Sequence, residues 1–519
     1  MLHKLKKDYK LFLNALENPQ EAQLAQLHRI LNKNKDSSFG KQYHFNQLKT
    51  IEDYQTSLPI QHYESFAESI QKMQQGHASI LFSEPATIFE NTGGSSGGQK
   101  IIPWNNSAFE ALRRGIKPWL ADLLTHHPDL LSGSSYWAIS PVGKNSSSSH
   151  DVMFFGAEIA EVLIPRLAVP LQISSIEDMD AWAYWTLRYL IVAKDLRFIS
   201  VWSPTFMLQV IRKLLDHAEQ VIYDIRTGTS SFSIPDWLHQ QHPMLQADPL
   251  RAKELYNTIQ CGNFQMLWSE LKVISCWKDA SSSFFIDELT AYFPNVYIQG
   301  KGLIATEGIT SLPLFTFPYP VLSIHSAFYE FIDQYGDIYL GHELLENEQY
   351  RIVITNHAGL YRYDTGDMVC IRGYAQNTPM LQFMGRVQCS DICGEKINEG
   401  FAHRCLKNLR GFVMLTPSIP ASSNFHNIPH YILLLDKNNY SHIQARQTAV
   451  YIDQQLSKNP QYLYAKKIGQ LACVQVIRVE NFLSRYIAYR IQQGHNLGDI
   501  KPPCLYLSGD WQLWALGEQ

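Results

Sequence analysis

The sequence has few cysteines, lacks long apolar runs and carries no strong excess of either charge. Its eight cysteines are too sparse over 519 residues to form a disulfide framework. No apolar run approaches the roughly 18 residues that a bilayer-spanning helix needs. The formal net charge is -4 and both signs are spread along the chain, so nucleic acid is not an expected partner. We therefore predict a cytoplasmic protein without a membrane span, while export by a specialised bacterial secretion system into a host stays open.

One group of cysteines has the residue types of a metal site. Cys389, Cys393, His403 and Cys405 lie close together in the sequence, and thiolate and imidazole groups are common zinc ligands. Their spacing differs from the two paired ligand motifs of usual structural zinc sites. We favour thiols without a metal-binding role, because free cysteine is among the most buried residue types.

Composition and length predict a globular chain with more than one domain. Hydrophobic residues make up 45% of the sequence and charged residues 18%, which is typical of folded proteins. A chain of 519 residues is too long for one ordinary core, so we expect at least two domains. Polar residues follow Arg386, after a run of short strands. We place a boundary there, which gives a larger domain over residues 1–386 and a smaller one over residues 387–519.

The order of helix-like and strand-like segments predicts an α/β fold. Two amphipathic helices occupy the first 33 residues, with Asn18 as a cap and Pro19 at the first helical position. The middle of the chain alternates helices with strands, which favours a sheet flanked by helices. Short strands from about residue 336 predict a sheet or small barrel at the end of the larger domain. The predicted strands are 86–89, 272–276, 295–298, 337–340, 351–354, 380–384 and 431–435, and predicted helices include one from Ser107 and one over Phe206–Leu215.

A segment rich in glycine and serine, between a predicted strand and a predicted helix, is the first sign of chemistry. Glycines allow positive φ angles that bring backbone N–H groups close to an anion, and hydroxyls and a lysine add donors. The segment is not a Walker A loop, because no Gly-Lys-Ser/Thr follows its glycines. A flexible linker is the alternative, although a linker would not usually lie inside a domain. The predicted phosphate-binding residues are Thr92, Gly93, Gly94, Ser95, Ser96, Gly97 and Lys100.

This segment resembles the phosphate loop of acyl-adenylate-forming enzymes, which has the pattern Gly-[Ser/Thr]-[Ser/Thr]-Gly-x-x-Lys. Other segments are similar to one branch of that superfamily, the Gretchen Hagen family of acyl-acid amido synthetases. They run from about residue 10 to the C-terminus, so the resemblance covers nearly the whole chain. The most specific is Ala358–Asp367, with the sequence AGLYRYDTGD. The others are Asp224–Thr229, Leu267–Trp268, Ile274–Cys276, Thr306–Gly308, Gly385–Arg386 and Lys501–Cys504.

The resemblance implies an enzyme that activates a carboxylic acid with ATP and Mg²⁺ and passes the acyl group to the amine of an amino acid. It implies catalytic roles for Lys100, Glu307 and Lys501, with Glu307 also the ligand of Mg²⁺. Two anions must meet during adenylation, so positioning and neutralisation of charge would supply most of the catalysis. Asp367 would accept hydrogen bonds from both ribose hydroxyls. Further nucleotide contacts would come from Ala280, Ser281, Thr306, Tyr361 and Arg386.

The family fold implied by the resemblance has a large adenylate-forming N-terminal domain and a smaller, mobile C-terminal α/β domain. The small domain would rotate about residues 386–391 between the two half-reactions. Simpler roles stay open for single residues: a capped turn at Thr306–Gly308, a turn residue at Asp367, and surface positions for Arg386 and Lys501. Aromatic side chains would line the acid pocket or belong to the core, namely Trp137, Phe154, Phe155, Trp202 and Phe206.

Three positions depart from the family pattern. Leu303 stands where many relatives have tyrosine, Ala280 where they have glycine, and Cys504 where they have arginine. The same adenylate chemistry would also serve an acyl-CoA ligase, and an inactive relative would only bind nucleotide. We expect the amido synthetase, because the segments DIRTGT and GLYRYDTGD resemble that family, while intact Lys100, Glu307 and Asp367 argue against an inactive relative.

Overall fold

The computed structural model describes residues 2–91, 100–139, 155–238, 243–386, 389–390, 392, 395–418, 428–467 and 470–516. Within these ranges the chain forms the predicted mixed α/β fold, with a large N-terminal part and a smaller C-terminal part. None of the described helices is both long and apolar enough to cross a membrane.

Five helices open the chain: α1 (Leu2–Ala15), α2 (Pro19–Asn34), α3 (Ser38–Gln42), α4 (Ile51–Ser57) and α5 (Glu64–Gln74). The first two bury an apolar stripe that includes Phe12 and Leu27, as the sequence predicts. Pro19 occupies the first turn of α2, but the Asn18 side chain forms no capping hydrogen bond, so the predicted cap is wrong in that detail.

A β-hairpin encloses the glycine-rich segment. The elements are β1 (Ile88–Asn91), β2 (Ile101–Trp104) and, after them, α6 (Asn106–His126). Asn91 pairs with Ile101 in antiparallel register, so the two ends of the segment lie side by side. Asn105 caps α6, because its Oδ1 accepts a hydrogen bond from Ala108 N at 2.7 Å.

The middle of the chain forms a four-stranded parallel sheet covered by helices. Its strands are β3 (Ser134–Trp137), β4 (Leu196–Ser200), β5 (Val273–Cys276) and β6 (Tyr297–Gly300), adjacent in sequence order. Every residue of β5 is buried, and Val273 and Ile274 contribute to two different hydrophobic clusters, as is usual for a parallel strand covered on both faces. The helices are α7 (Ala157–Leu163), α8 (Met179–Val192), α9 (Pro204–Asp216), α10 (Ala218–Thr227), α11 (Pro249–Cys261) and α12 (Ile286–Tyr292).

A small hairpin and a large antiparallel sheet follow. The hairpin strands are β7 (Ile304–Ala305) and β8 (Gly308–Ile309). The sheet strands are β9 (Ser311–Leu312), β10 (Val321–Leu322), β11 (Phe328–Ile332), β12 (Ile338–Tyr339), β13 (Gln349–Thr355), β14 (Tyr363–Ala375) and β15 (Thr378–Arg386). Their spatial order is β12-β11-β13-β14-β15-β10-β9, which confirms the predicted sheet at this point of the chain.

The C-terminal part is a small α/β unit. Its elements are β16 (Cys389–Ser390), β17 (Ile397–Asn398), α13 (Glu399–Leu406), β18 (Val413–Ser418), β19 (His430–Asp436), α14 (His442–Leu456), α15 (Pro460–Lys467), β20 (Gln475–Val479), α16 (Phe482–Gln492) and α17 (Trp511–Ala515). The strands β18, β19 and β20 form one sheet, and β19 contains the predicted strand 431–435.

The C-terminal part packs against the helices of the parallel sheet. Phe412 belongs to the same hydrophobic cluster as Phe285, with ring centres 5.8 Å apart. His403 Nε2 lies 2.9 Å from Ser283 Oγ across the same contact. β15 ends at Arg386, and the division into domains at that residue stays a prediction.

A buried ion pair joins the antiparallel sheet to the N-terminal helices. Arg362 donates two hydrogen bonds to Glu330, at 3.0 and 2.8 Å, and one to Gln55 O at 2.8 Å. Both charged side chains are almost completely buried. The planar guanidinium needs acceptors in fixed directions, so this pair holds the end of α4 against β11.

We expect Glu330→Gln to lower the free energy of unfolding by about 3–5 kcal/mol, because it leaves a buried guanidinium without its counter-charge. Glu68→Gln, in the exposed pair with Lys72, is the control and should change it by less than about 0.5 kcal/mol. Urea unfolding followed by circular dichroism measures both variants, and equal effects would contradict the role of the buried pair.

Candidate active site

The centre of the candidate site is an ion pair between two neighbouring strands. Asp367 on β14 lies opposite Arg386 on β15, and Arg386 Nε donates to Asp367 Oδ1 at 2.8 Å. Asp367 is buried, whereas 34% of the Arg386 side chain remains exposed. The carboxylate raises the pKa of Arg386 and keeps the guanidinium charged. A carboxylate has about four acceptor positions, so the pair leaves capacity for hydroxyl groups of a ligand.

A tight turn in the DTGD sequence directs Asp367 toward this pair. Gly366 has a φ of +73°, in the left-handed region that glycine favours. Gly366 N donates to Asp364 Oδ1 at 2.9 Å, and Asp367 N donates to Thr365 Oγ1 at 3.1 Å. Arg351 holds the other oxygen of Asp364 at 2.9 Å. The two aspartates of the motif therefore have different roles. Asp364 stabilises the turn, and Asp367 pairs with Arg386 in the candidate site.

Glu307 lies beside the ion pair, in the turn between β7 and β8. The hairpin has a two-residue turn, Thr306-Glu307, and Asn356 Nδ2 donates to the Glu307 carbonyl oxygen at 2.6 Å. The Glu307 side chain is buried, and this burial raises its pKa, while the charge of Arg386 acts in the opposite direction. The structure thus brings the predicted Thr306-Glu307 motif next to Asp367.

Lys100 approaches the same cluster from the end of the glycine-rich segment. Its Nζ donates to Tyr363 Oη at 3.2 Å and faces the rings of Tyr363 and Tyr63 at 5.7 and 5.6 Å. Its positive charge also acts on Glu307 and favours the ionised carboxylate. The predicted phosphate-binding residues 92–97 lie outside the described ranges, so their role stays a prediction.

The fourth charged group comes from the far end of the chain. Lys501 Nζ lies 3.5 Å from the centre of the Trp277 ring. The side chain is exposed on this ring, and desolvation by the surrounding protein lowers its pKa to about 8. The charge of Arg386 lowers the pKa further, whereas the charges of Asp367, Asp499 and Glu307 raise it. The structure therefore places Lys501 within electrostatic reach of the cluster, as the sequence predicts for a catalytic lysine.

Backbone pairing fixes the segment that follows Lys501. Leu415 N on β18 donates to Cys504 O at 2.8 Å, and Tyr506 N donates to Leu415 O at 2.8 Å. The Cys504 thiol is completely buried and lies 3.4 Å from Glu399 O on α13. Cys504, where the family pattern has arginine, therefore attaches this segment to the small unit by packing.

The Tyr361 side chain lies in the core and not at the charged cluster, which corrects the predicted cofactor contact. Its side chain is completely buried, its ring stacks on Phe39 at 4.7 Å, and its hydroxyl donates to Leu81 O at 2.7 Å. Gly359, with a φ of +82°, passes so close to Leu81 that a Cβ there would lie 2.7 Å from the leucine Cβ. The first half of the AGLYRYDTGD motif thus packs the core, and only its second half enters the site.

The segment Asp224–Thr229 also has a structural role. Asp224 is buried and accepts hydrogen bonds from Tyr184 Oη at 2.8 Å and Ser231 N at 3.0 Å. Gly228, in the left-handed conformation, ends α10. This family-like motif therefore connects α8 to the loop after α10.

Most of the aromatic residues predicted near the acid pocket belong to the core. Phe206 is completely buried and Trp137 and Phe155 nearly so, while Phe154 lies outside the described residues. Trp202 alone among the described members of this set is half-buried, and its ring centre lies 5.4 Å from that of Trp277. Trp277 was not predicted. A tryptophan directly after a buried parallel strand is the signal that points to it, because ligands bind at this edge of α/β sheets.

The cysteine group lies only partly within the described side chains, so the expectation that it binds no metal stays a prediction. Among the described residues, no group of three or more histidine, cysteine or acidic side chains is arranged to hold a metal ion. Cys405 is buried, and Cys393 lies outside the described ranges.

Comparison with known proteins agrees with this geometry. A sequence model described as the GH3 family N-terminal domain matches residues 8–298, and one described as the GH3 family central domain matches residues 320–386. Together they cover more than half of the chain. The protein belongs to the GH3 family.

The GH3 protein is similar to named plant enzymes. Indole-3-acetic acid-amido synthetase GH3.4 of Arabidopsis thaliana is 22% identical over 433 residues, which are 75% of this chain and 71% of that protein. Jasmonoyl--L-amino acid synthetase JAR4 of Nicotiana attenuata is 23% identical over 395 residues, which are 69% of this chain and 68% of that protein.

Solved structures confirm the fold. The structure of AtGH3.15 acyl acid amido synthetase in complex with 2,4-DB superposes with a TM-score of 0.84 at 17% identity, over 100% of this chain and 96% of that one. A 2-hydroxyisobutyryl-CoA ligase in the postadenylation state superposes with a TM-score of 0.54 at 11% identity, over 89% of this chain and 85% of that one. The predicted family and its adenylate-forming fold are thus confirmed.

The predicted adenine wall of this GH3 protein differs from the family pattern. Ala280 begins a short 3₁₀ helix with a φ of +49°, in the left-handed region that favours glycine. Leu303 is buried in the core, so no aromatic ring stands at that position. The Ser281 side chain lies outside the described part of the structure, and its predicted nucleotide contact stays a prediction.

We expect Ala280→Gly to raise the free energy of unfolding by about 0.5–1 kcal/mol, because glycine adopts the left-handed conformation without the Cβ penalty. Ala67→Gly, the same substitution within α5, should lower it by about 1 kcal/mol. Urea unfolding measures the free energy of unfolding of both variants. A lower value for Ala280→Gly than for the wild type would contradict backbone strain at Ala280.

Proposed function

We propose that this GH3 protein activates a carboxylic acid with ATP to an acyl-adenylate and transfers the acyl group to the amine of an amino acid. The observation that carries the proposal is the position of Lys501, which comes from the C-terminal part, lies over Trp277 and is close enough to Asp367, Arg386 and Glu307 for their charges to act on it. The names of the plant relatives, which are indole-3-acetic acid and jasmonate amido synthetases, support the same reaction.

The first half-reaction needs cations around two anionic substrates. A carboxylate oxygen attacks the α-phosphorus of ATP, and the bond to the oxygen that bridges to the β-phosphorus breaks, so pyrophosphate leaves. Lys501 would stabilise the charge that develops on the α-phosphate, and Lys100 would hold the β- and γ-phosphates with the glycine-rich loop. Asp367 would accept hydrogen bonds from the ribose hydroxyls and thereby fix the α-phosphate. In the second half-reaction the amine attacks the acyl carbon and AMP leaves.

The carboxylates of the cluster fit Mg²⁺ bound together with ATP. Mg²⁺ usually binds to one or two carboxylates and to substrate phosphates, and the cluster offers Glu307 and Asp367. We assign Glu307 as the ligand, because a nearby cation would offset the burial that raises its pKa. When bound, the ion would neutralise charge on the phosphate oxygens.

We propose that the partners other than ATP and Mg²⁺ are two small molecules, a carboxylic acid and an amino acid or another amine. The formal net charge of -4 supports small molecules rather than nucleic acid as partners. We also propose that the protein acts in the cytoplasm.

Acid-dependent exchange of pyrophosphate into ATP tests adenylation. A panel of aromatic, jasmonate-like and fatty acids should contain acids that support exchange in the wild type. Asp367→Asn should reduce kcat/KM by about 100-fold, because it removes a charged acceptor of the ribose and leaves Arg386 without its partner. Asp364→Asn is the matched control: it keeps an oxygen that accepts from Gly366 N and should retain most of the activity. An equal loss of kcat/KM in both variants would mean that Asp367 contributes to folding and not to nucleotide binding.

Adding amino acids or coenzyme A to the same reaction shows which acceptor takes the acyl group in the second half-reaction. Release of AMP and formation of an amide with an amino acid would support the proposal. Formation of a thioester with coenzyme A, and no amide, would replace it by an acyl-CoA ligase.

The pH dependence of adenylation tests Lys501. Its lowered pKa, about 8, means that the ammonium form is complete only well below pH 8 and is lost as the pH rises through that value. We expect kcat/KM for ATP, which reports the free enzyme, to fall about tenfold per pH unit above pH 8. Lys501→Arg should be slower but lack this decline, because its guanidinium stays charged. A flat wild-type profile up to pH 10 would contradict the role of the ammonium.

A further inference from the structure

A second lysine lies at the same edge of the parallel sheet as the nucleotide cluster. Lys301 directly follows β6, and its N–H donates to Cys276 O at 3.0 Å, while Trp277 N donates to Trp202 O at 2.8 Å. Trp202, Trp277 and Lys301 therefore stand side by side, just beyond the carboxyl ends of β4, β5 and β6. Ligands of α/β sheets bind outside this end of the strands.

The Lys301 ammonium is held in a fixed position among aromatic rings. Its side chain is buried, and its Nζ donates to Ser200 Oγ at 2.7 Å. The same Nζ lies 5.1 Å from the centre of the Trp202 ring and 5.6 Å from that of Trp119. Trp119 is itself fixed, because its Nε1 donates to Gln299 Oε1 at 2.9 Å.

Two indole rings connect this ammonium to the catalytic cluster. The Trp202 and Trp277 rings are half-buried, with centres 5.4 Å apart, and Lys501 lies over Trp277. An aromatic surface with a cation at each end is therefore present, and one of the two cations is the proposed catalytic lysine.

We propose that the half-buried rings of Trp202 and Trp277, with the buried Trp119 and Lys301 behind them, bind the acyl substrate, and that Lys301 selects aromatic acids that carry a second carboxylate or hydroxyl group away from the reacting carboxylate. An oxygen near the ammonium gains a charge-assisted hydrogen bond, whereas an apolar end of a substrate gains none. The aromatic part of the acid packs on the indole rings. This inference rests on the proposed function for the assignment of the reacting carboxylate to Lys501.

The test compares matched acids and matched lysines. Terephthalate and para-hydroxybenzoate carry the second oxygen group, and benzoate lacks it. Lys301→Met keeps the side-chain length and removes the charge. Lys272→Met is the control, because Lys272 is an exposed lysine that directly precedes β5 at the opposite edge of the sheet. Calorimetry measures acid binding without any need for adenylation, and pyrophosphate exchange then measures kcat/KM for the same acids.

We expect the wild type and Lys272→Met to bind terephthalate or para-hydroxybenzoate about tenfold or more tightly than benzoate, and Lys301→Met to lose this preference. If Lys301→Met does not fold, Ser200→Ala gives a second measurement, since loss of the hydrogen bond that fixes the ammonium should weaken the preference several-fold. Equal affinities for the three acids, no binding of any of them, or a preference unchanged in the folded variants would overturn the inference. A preference that depends on Lys301, without acid-dependent exchange, would support this binding site and contradict the proposed adenylation.

Discussion

The ion pair of Asp367 and Arg386 is the interaction around which the other charged groups of the site are arranged. It joins β14 to β15 at the point where the large sheet ends and the C-terminal part begins. Asp367 keeps the Arg386 guanidinium charged in a partly buried place, where an isolated charge would be costly. Lys100, Glu307 and Lys501 then come from three other parts of the chain. Glu399 also interacts with Arg386 and Lys501, and Asp499 with Lys501, so three cations face four carboxylates, and binding of a polyanionic substrate would depend on where the cations lie rather than on a net positive charge.

The docking of the C-terminal part determines whether this cluster is complete. Lys501 reaches it only because its segment pairs with β18 and because the small unit packs against the helices of the parallel sheet. Under the proposed reaction, this docked arrangement is the one that serves adenylation. The second half-reaction needs space for an amine, and the rotation of the small unit that would provide this space stays a prediction.

Several positions show how the chain keeps the family fold while its residues differ. Ala280 adopts a conformation that favours glycine, and a buried Cys504 packs where an arginine is expected. Neither residue lies on the two strands that carry Asp367 and Arg386. The aromatic edge of the parallel sheet is the region where such differences would affect the choice of acid, because it is formed by side chains after the strands rather than by the core.

The sequence by itself determined the fold class and most strands, because periodicity and short motifs are local properties of the chain. It also predicted roles for Lys100, Glu307, Asp367, Arg386 and Lys501, and these roles stay predictions. It also gave Tyr361 a wrong role, since a motif does not show which of its side chains face the core. Only the tertiary structure decided that Asp367 and Arg386 form a pair, that Lys501 lies over Trp277, and that Lys301 shares a sheet edge with two tryptophans. Those relations depend on strand register and on the docking of distant segments, which no local pattern of residues encodes.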